Sequence, residues 1–362
     1  MGSKINRKDF IRYLGAGAIG LIIPNYALAQ DNPKKIIAKE FTKLPSPEYI
    51  GISHSEIEWE GISNGLDFSR TGVYKKGNLI DIIATVKIDP DKNKIRVFNS
   101  YSKDSVSLGI IEQWQKETNA LAIINSAQYL GNPWGAPCAL VICDGRQKGP
   151  KFNQVSQGML VAEPITDDLP IMDLVDFNYD PETGEGNNYQ ELQTEYRKAR
   201  NSKDPMEREK AKKYLEQYKN IYQKIKENRL EKYTQGVQHW GIFLDREENV
   251  RITPSLWQAN RTAVAKTKDN EILFMTTEGG YFTLYNFGQF LRDSNKRLDK
   301  GFNVHTAMNM DGGYEASMAI ETPKLSYFTY GEFETQGPGR DMTVFGARQA
   351  IPGVIGVFSR DD

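Results

Sequence analysis

The sequence predicts an α+β fold, a mixed β-sheet core packed with helices and interrupted by one charged helical insertion. Short runs of β-branched and aromatic residues recur along most of the chain, and turn signals separate them. Two stretches instead carry apolar residues at three- and four-residue steps, which is typical of amphipathic helices. Apolar residues make up 39% of the 362 positions and charged residues 26%, a composition that supports a packed core and excludes wholesale disorder.

Charge and cysteine content exclude several function classes. The chain has 46 basic and 47 acidic residues, so no excess of positive charge favours nucleic acid as a partner. Two cysteines cannot form a disulfide framework or a four-thiolate zinc site. We interpret Cys138 and Cys143 as buried free thiols on a strand over residues 138–143, in preference to a disulfide.

The N-terminus has the three parts of a bacterial export signal. Residues 6–12 are basic, residues 13–24 form a short apolar run, and Ala27-Leu28-Ala29 offers a small-x-small cleavage site. The apolar run is shorter than the ~20 residues that span a bilayer. Arg7-Lys8-x-Phe10 is similar to a twin-arginine signal in which Lys replaces the second Arg.

This pattern divides the chain into three parts. We interpret residues 1–29 as a Tat-like export signal, residues 30–50 as a tether and residues 51–362 as the folded domain. The alternative for the first part is an uncleaved amphipathic helix. No other long apolar segment occurs in the sequence, so we expect the mature protein in the periplasm or outside the cell, without a stable membrane span. These features do not specify an oligomeric state.

Turn chemistry and periodicity predict the regular elements of the first half. Residues 79–88 and 95–98 have strand character and flank the turn signal of residues 89–93, which predicts a hairpin. We further predict a helix over residues 107–118, a buried strand over 120–124 that ends at Asn125, and a loop over 131–137.

Residues 187–233 differ from the rest of the chain and are predicted to form the charged helical insertion. Asp204-Pro205 is a helix start signal, with Asp as the N-cap. A basic, tyrosine-striped helix can bind a polyanion or a membrane surface. We favour the alternative, in which the stripe packs on its own domain and the charges are solvated. The stripe consists of Ala211, Tyr214, Tyr218, Ile221 and Ile225.

Strand character returns after the insertion. Residues 237–244, 262–267, 271–277 and 304–310 are predicted strands, and Asp269-Asn270 predicts a tight hairpin between the second and the third. A final strand is predicted over residues 351–357. Thr283 is placed to cap a helix, whose apolar face contains Leu284, Phe287, Phe290 and Leu291.

The strongest local signal for chemistry is Asn309-Met310-Asp311-Gly312-Gly313. An acidic residue follows an apolar strand, and two glycines let the backbone turn sharply and let a ligand approach the main chain. Successive backbone N–H groups form a concavity that binds anions. The alternative is an ordinary Asp-Gly turn without a ligand.

An ordered set of segments extends this signal, and in this order the segments resemble the phosphodiester glycosidase family. The resemblance covers about residues 120–362, with the charged helices inserted. The best-known family members remove N-acetylglucosamine from a phosphodiester-linked mannose marker, and bacterial members are associated with exopolysaccharides. The segments are Asn125 at a strand end, the strand that begins at Arg261, Glu278-Gly279-Gly280 after the next strand, the Thr283-Leu284 helix start, the Asp311 turn and the closing strand 351–357.

The resemblance implies an exported hydrolase that breaks the sugar C1–O bond of a glycosyl-1-phosphodiester in envelope or extracellular glycans. Such a reaction needs a phosphate clamp, a carboxylate beside the developing oxocarbenium ion and a base for water. The resulting assignments are Arg261 as the phosphate clamp with help from the Gly312 and Gly313 N–H groups, Asp311 as nucleophile or oxocarbenium stabiliser, Glu278 as acid/base with Glu315 as a third candidate, and Asn125 and Asn309 as sugar-binding residues.

Two rival functions stay open, a non-catalytic envelope polysaccharide-binding or assembly protein and a metal-dependent phosphodiesterase. The chain departs from the family pattern after Gly313, where Tyr314-Glu315 replace a Gly-Ser sequence, and these changes affect the sugar pocket more than the fold. No cofactor or metal site is predicted, because no ligand spacing supports a divalent cation near Asp311. The histidines at positions 54, 239 and 305 are interpreted as structural.

Overall fold

The computed structural model describes residue 49 and residues 51–100, 109–129, 136–150, 152–296, 301–335, 342–344 and 350–361. The predicted export signal lies outside these ranges, as do the tether apart from residue 49 and residues 131–135 of the predicted loop. The fold is α+β, as predicted, and every strand pair among the described residues is antiparallel. No helix in the described ranges is long and apolar enough to cross a membrane.

Most of the elements in the described ranges are strands, and four are α-helices. The helices are α1 (Ile111–Thr118), α2 (Tyr189–Asn201), α3 (Pro205–Asn228) and α4 (Leu284–Asn295), with 3₁₀ turns at Leu230–Lys232 and Gly313–Glu315. The strands are β1 (Ile52–His54), β2 (Glu60–Ser63), β3 (Leu66–Lys75), β4 (Asn78–Ile88), β5 (Asn93–Asn99), β6 (Ala122–Asn125), β7 (Val141–Cys143), β8 (Arg146–Lys148), β9 (Gly158–Pro164), β10 (Met172–Asp176), β11 (Tyr233–His239), β12 (Ile242–Leu244), β13 (Thr262–Thr267), β14 (Ile272–Thr277), β15 (Val304–Asn309), β16 (Ser317–Glu321), β17 (Ser326–Tyr330), β18 (Phe333–Thr335), β19 (Met342–Val344) and β20 (Gly353–Ser359).

Three sheets organise these strands. The first sheet has eight strands in the order β1-β3-β4-β14-β13-β15-β12, with β2 paired to β3. The second sheet has the order β17-β16-β6-β20-β5, and the third has the order β10-β9-β11-β7-β8. Strands β18 and β19 form a separate pair.

The main core lies between the first sheet and the two smaller sheets. Phe274 and Val86 of the first sheet pack there with Ile124 of the second and Leu160 of the third. Each such side chain is fully buried or nearly so, and burial of one large apolar side chain stabilises the fold by ~1.5–3 kcal/mol. Because successive side chains of a strand point to opposite faces, the residues that alternate with these core residues lie on the other face of each sheet.

The opposite faces of the three sheets are covered by helices. Helix α4 packs on the first sheet through Phe287 and Phe290, and its N-cap Thr283 accepts a hydrogen bond from the Asn286 N–H, as the sequence predicts. Helix α1 packs on the second sheet through Trp114. It begins at Ile111, four residues later than predicted.

The charged helices pack on the third sheet. Asp204 caps α3 by accepting from the Met206 N–H at 2.9 Å, which confirms the predicted start. Tyr218 of the predicted stripe is buried in a cluster with Phe177 and the third-sheet residue Val161. The stripe therefore packs on its own domain, as favoured, while several lysines of α3 pair with glutamates three residues before them.

Three sequence predictions about strands are wrong in part. Strands β4 and β5 do not form a hairpin, because both edges of β4 are occupied by β3 and β14 and β5 instead pairs with β20. The predicted strand over 237–244 is two strands, which break at Trp240-Gly241 as the chain passes from the third sheet to the first. Cys138 lies before its strand, which covers only Val141–Cys143, and both thiols are free but only half-buried.

The hairpin between β13 and β14 confirms its turn signal. Asn270 adopts φ +67°, a left-handed conformation that Asn tolerates better than most residues. The two strands pair from Thr262 opposite Thr276 to Lys266 opposite Ile272.

Candidate active site

Topology brings three of the predicted site residues to one edge of the first sheet. Strand β13 is antiparallel to both of its neighbours, β14 and β15, so its start lies beside their ends. Arg261 immediately precedes β13, Glu278 immediately follows β14, and Asp311 comes two residues after β15. Neighbouring strands are ~5 Å apart, so the backbones at Glu278 and Asp311 flank Arg261 on opposite sides.

The chemical centre of this edge is a pair of carboxyl groups, Asp311 and Glu315. A side-chain hydrogen bond joins them, and burial together with the Asp311 charge raises the pKa of Glu315 well above its ordinary value. Two carboxylates this close repel each other strongly when both are ionised, so the raised pKa favours a single proton shared by the pair. Glu315 holds that proton and donates it in a hydrogen bond to Asp311.

Further groups increase the negative potential around the pair. The charge of Glu334 also raises the pKa of Glu315, while a hydrogen bond from Tyr314 opposes the increase. Burial raises the pKa of the Cys138 thiol to about 12, with added contributions from Asp311 and Glu315. The thiol therefore stays protonated and is a poor nucleophile.

Arg261 supplies positive charge on the other side of the turn. Its Nε donates to the Phe282 carbonyl at 3.0 Å and its Nη2 to the Trp257 carbonyl at 2.6 Å. The third nitrogen, Nη1, lies beside Gly312, 3.8 Å from the position that a Cβ would take there. Burial lowers the pKa of the guanidinium to about 10, and Glu334 opposes this shift, so Arg261 remains a cation.

The two glycines of the turn are closely packed. Gly313 adopts φ +66°, and a Cβ on it would lie 2.7 Å from Glu334 Oε2. Its N–H donates to the Asn260 carbonyl at 2.9 Å, and the Gly312 N–H donates to Asp311 Oδ1 at 3.0 Å. Both N–H groups thus have protein partners, so the predicted anion contact by the main chain requires these hydrogen bonds to be exchanged.

Asn125 and Asn309 differ in their availability. Asn125 donates to the Asp311 carbonyl at 2.8 Å, and its Oδ1 accepts from Thr262 Oγ1 at 2.7 Å and from the Ser317 N–H at 3.0 Å. Both ends of this amide therefore fix the Asp311 turn to β6 and β13. Asn309 Oδ1 is buried without a hydrogen-bond partner in the described part of the chain, and it is free to take one.

Glu278 lies at the same edge but belongs to a different cluster. Arg70 binds it with two hydrogen bonds, Nε to Oε1 at 2.8 Å and Nη2 to Oε2 at 2.6 Å, and the Tyr327 hydroxyl donates to Oε1 at 2.7 Å. The described residues contain no hydrogen bond or ion pair between Glu278 and either Asp311 or Glu315. Fully buried Asp81 fixes the backbone beside Glu278 by accepting from the Gly279 N–H at 2.6 Å.

Sequence reasoning missed two side chains near the carboxyl pair, Glu334 and His239. Glu334 on β18 accepts a hydrogen bond from Trp257 Nε1 at 3.1 Å, and burial raises the pKa of Glu334 while Arg261 opposes the increase. His239 is buried at the end of β11. Burial lowers the pKa of its imidazole, and the Asp311 charge opposes this shift. Glu334 is the only acidic residue of β18, but nothing in its local sequence pairs it with Asp311.

The described ranges contain no group of three or more His, Cys, Asp or Glu residues that could hold a metal ion. The arrangement supports chemistry by two carboxyl groups that are hydrogen-bonded to each other, with the Arg261 guanidinium beside Gly312 of the same turn.

Comparison with known proteins identifies a family for about half of the chain. The family model of the phosphodiester glycosidases matches residues 184–358, a segment that includes Arg261, the carboxyl pair and Glu334. The matched segment belongs to the phosphodiester glycosidase family. The segment also contains α2 and α3, and it leaves out Asn125 and Arg70.

Two solved structures are similar to the chain. One is the catalytic domain of zebrafish N-acetylglucosamine-1-phosphodiester alpha-N-acetylglucosaminidase, auto-inhibited by its pro-peptide. It is 12% identical with a TM-score of 0.49, over 86% of this chain and 89% of that one. The other is a hypothetical protein from Synechocystis, 10% identical with a TM-score of 0.44, over 84% of this chain and 64% of that one. A search of curated proteins gave no match.

Proposed function

We propose that the protein is an exported hydrolase that breaks the sugar C1–O bond of a glycosyl-1-phosphodiester in envelope or extracellular glycans. The observation that carries the proposal is the proton-sharing pair Asp311–Glu315 beside Arg261, within a segment of the phosphodiester glycosidase family. The export part is supported by the N-terminal sequence pattern alone.

The reaction replaces the C1–O–P linkage by a C1–OH group. The bond between C1 and the bridging oxygen breaks, and the oxygen leaves with the electron pair as part of a phosphate monoester. Water supplies the oxygen that bonds to C1. One of its protons stays on the new C1–OH group, and the other goes to the site base, where it replaces the proton given to the leaving oxygen. A phosphate monoester is a competent leaving group, so the main demand is stabilisation of the oxocarbenium-like transition state.

The two carboxyl groups divide the work according to their protonation. Ionised Asp311 acts as the nucleophile or stabilises the positive charge that develops at C1. The raised pKa of Glu315 favours its protonated form, and this proton can pass to the leaving oxygen. Glu315 then acts as the base for water, as one carboxyl group does in other glycoside hydrolases.

This proposal assigns the acid/base role to Glu315 in place of Glu278. Glu278 is held by a bidentate Arg70 and by Tyr327, so both of its carboxylate oxygens already have protein partners. Arg261 stays the phosphate-binding residue. Because two of its nitrogens bind backbone carbonyls, it contacts phosphate through Nη1 beside Gly312.

The test is hydrolysis of the methyl diester of α-N-acetylglucosamine-1-phosphate, with related sugars in parallel, measured by release of the free sugar. We expect Asp311→Asn and Glu315→Gln to lower kcat by about 10²–10⁴, the usual contribution of a positioned acid or base. Glu278→Gln is the matched control and should change kcat by less than about tenfold. Folding of each variant is checked by its thermal midpoint.

Three outcomes contradict the proposal. If Glu278→Gln abolishes turnover while Glu315→Gln retains it, Glu278 is the acid/base. If every glycosyl diester is left intact by a folded protein that still binds envelope polysaccharide, the protein is a binding or assembly module. If chelators abolish activity, a metal-dependent phosphodiesterase is favoured.

A further inference from the structure

Glu334 is an acidic side chain that the proposed mechanism does not use. On β18 it pairs with Ala259 in an antiparallel bridge. Backbone hydrogen bonds on both sides of this bridge, at 2.8 and 3.0 Å, hold residues 258–260 against β18. The segment that leads into Arg261, the phosphate-binding residue of the proposed mechanism, is therefore fixed next to Glu334.

The register of the bridge places Glu334 diagonally between Trp257 and Arg261. Each of these two residues is two positions from Ala259, and side chains alternate along an extended segment, so both share its face. Diagonal neighbours on one face are ~7–8 Å apart, which long side chains can span. Trp257 connects the two charged groups, because its Nε1 donates to Glu334 Oε1 at 3.1 Å and its carbonyl accepts from Arg261 Nη2 at 2.6 Å.

Both charged groups reach the turn that follows Asp311. Arg261 Nη1 lies 3.8 Å from the position that a Cβ would take on Gly312, and Glu334 Oε2 lies 2.7 Å from the position that a Cβ would take on Gly313. The two glycines are adjacent in the chain, so an anion that contacts Nη1 beside Gly312 lies close to the Glu334 carboxylate. The site therefore presents such an anion with one guanidinium that attracts it and one carboxylate that repels it.

This juxtaposition acts differently on singly and doubly charged phosphates. A phosphodiester carries one negative charge, whereas a phosphate monoester carries about −1.5 to −2 near pH 7 because its second pKa is ~6. Coulomb energy is proportional to the charge of the ligand, so Arg261 alone would prefer the monoester, and an ionised Glu334 reduces that preference. Burial raises the pKa of Glu334, but Arg261 and the Trp257 hydrogen bond oppose the increase and favour the ionised form.

We propose that Glu334 is a specificity-determining residue that makes the site selective for singly charged phosphodiesters over doubly charged phosphate monoesters. Its charge offsets the stronger attraction of Arg261 for a dianion, so the site accepts the diester and releases the phosphate monoester that hydrolysis produces. The substrate class that follows is a sugar whose 1-phosphate is esterified to a second alcohol, and free sugar 1-phosphates are poor ligands. The inference rests on the proposed phosphate-binding role of Arg261.

The test compares KM for the methyl diester of α-N-acetylglucosamine-1-phosphate with the inhibition constant Ki of α-N-acetylglucosamine-1-phosphate itself, at low salt, where charges are least screened. Glu334→Gln removes the charge and keeps an oxygen that can accept from Trp257. We expect KM to fall about threefold and Ki about tenfold, because the monoester loses about twice the repulsion and its factor is the square of that for the diester. Glu334→Ala is a second variant that removes the charge, and Glu334→Asp, which keeps it, should retain most of the discrimination. Glu321→Gln is the control, because it removes the same charge from an exposed position at the far end of β16.

Calorimetric titration with the same two ligands needs no turnover, and it separates the inference from the proposed function. If the charge-removing variants weaken both ligands, or change both affinities by the same factor, Glu334 has a structural role and the inference is wrong. Loss of the discrimination in Glu334→Asp would also contradict it. If the wild-type protein hydrolyses no glycosyl diester while Glu334→Gln strengthens the monoester more than the diester, the proposed function fails and the role of Glu334 in charge selection stands.

Discussion

The substitution Gly313→Ala tests the packing of the Asp311 turn. Gly313 adopts φ +66°, and an added Cβ would lie 2.7 Å from Glu334 Oε2 and 3.1 Å from Glu334 Cδ. The left-handed backbone alone costs an alanine ~1 kcal/mol. Glu334 must also move and give up its hydrogen bond from Trp257, which adds ~2 kcal/mol for a bond to a charged group. We therefore expect a loss of ~3 kcal/mol in the free energy of unfolding.

Gly77→Ala is the matched control for this prediction. Gly77 adopts φ +81° in the turn between β3 and β4, and no atom lies within 4 Å of its virtual Cβ, so only the ~1 kcal/mol backbone term applies. Equilibrium urea unfolding gives both free energies, and kcat for the methyl diester reports on the site. Gly313→Ala should lower kcat at least about tenfold and Gly77→Ala should not. Equal losses of stability and equal kcat in the two variants would refute the reasoning.

Three further predictions concern stability and the environment of the carboxyl pair. Burial raises the pKa of Asp81 from 3.8 to about 7, so the native state holds a proton that the unfolded chain releases. The free energy of unfolding should therefore fall by up to about 4 kcal/mol as the pH rises from about 4 to 7, a slope that Asp81→Asn should remove in urea titrations at several pH values. Trp257→Phe removes the hydrogen bond to Glu334 and should cost ~2 kcal/mol of stability and lower kcat several-fold, whereas an unchanged kcat would place Glu334 outside the reaction. Asp204→Ala removes the cap that accepts from Met206 and should cost ~1 kcal/mol of stability with kcat unchanged, since α3 packs on the third sheet away from the carboxyl pair.

Elements whose signals are local could be predicted from the sequence, and strand pairing over long distances could not. The caps at Thr283 and Asp204 and the Asn270 turn depend on residues within a few positions of each other. The turn after β4 also has a local sequence signal, but β4 and β5 do not pair across it. Strands β3 and β14 occupy both edges of β4, and β5 belongs to the second sheet. Which strand pairs with a given sheet edge therefore depends on segments that are far away in the sequence.

The same distinction applies to the site. The Asp311–Gly313 turn is a local feature, so its sequence alone was enough to name it as a candidate site. Glu278 lies at the same sheet edge, but the alternation of side chains along β14 puts it on the inner face with Phe274, where Arg70 and Tyr327 bind it. Glu334 reaches the pair because the Gly313 backbone packs against its carboxylate, a contact that no spacing in the sequence reveals.

The most direct test of the central claim is hydrolysis of the glycosyl diester in ¹⁸O-labelled water, followed by mass spectrometry of both products. Attack at the anomeric carbon, with the carboxyl pair beside C1, predicts one labelled oxygen in the released sugar and none in the phosphate monoester. Label in the phosphate monoester and none in the sugar would mean attack at phosphorus, and it would contradict the glycosidase mechanism.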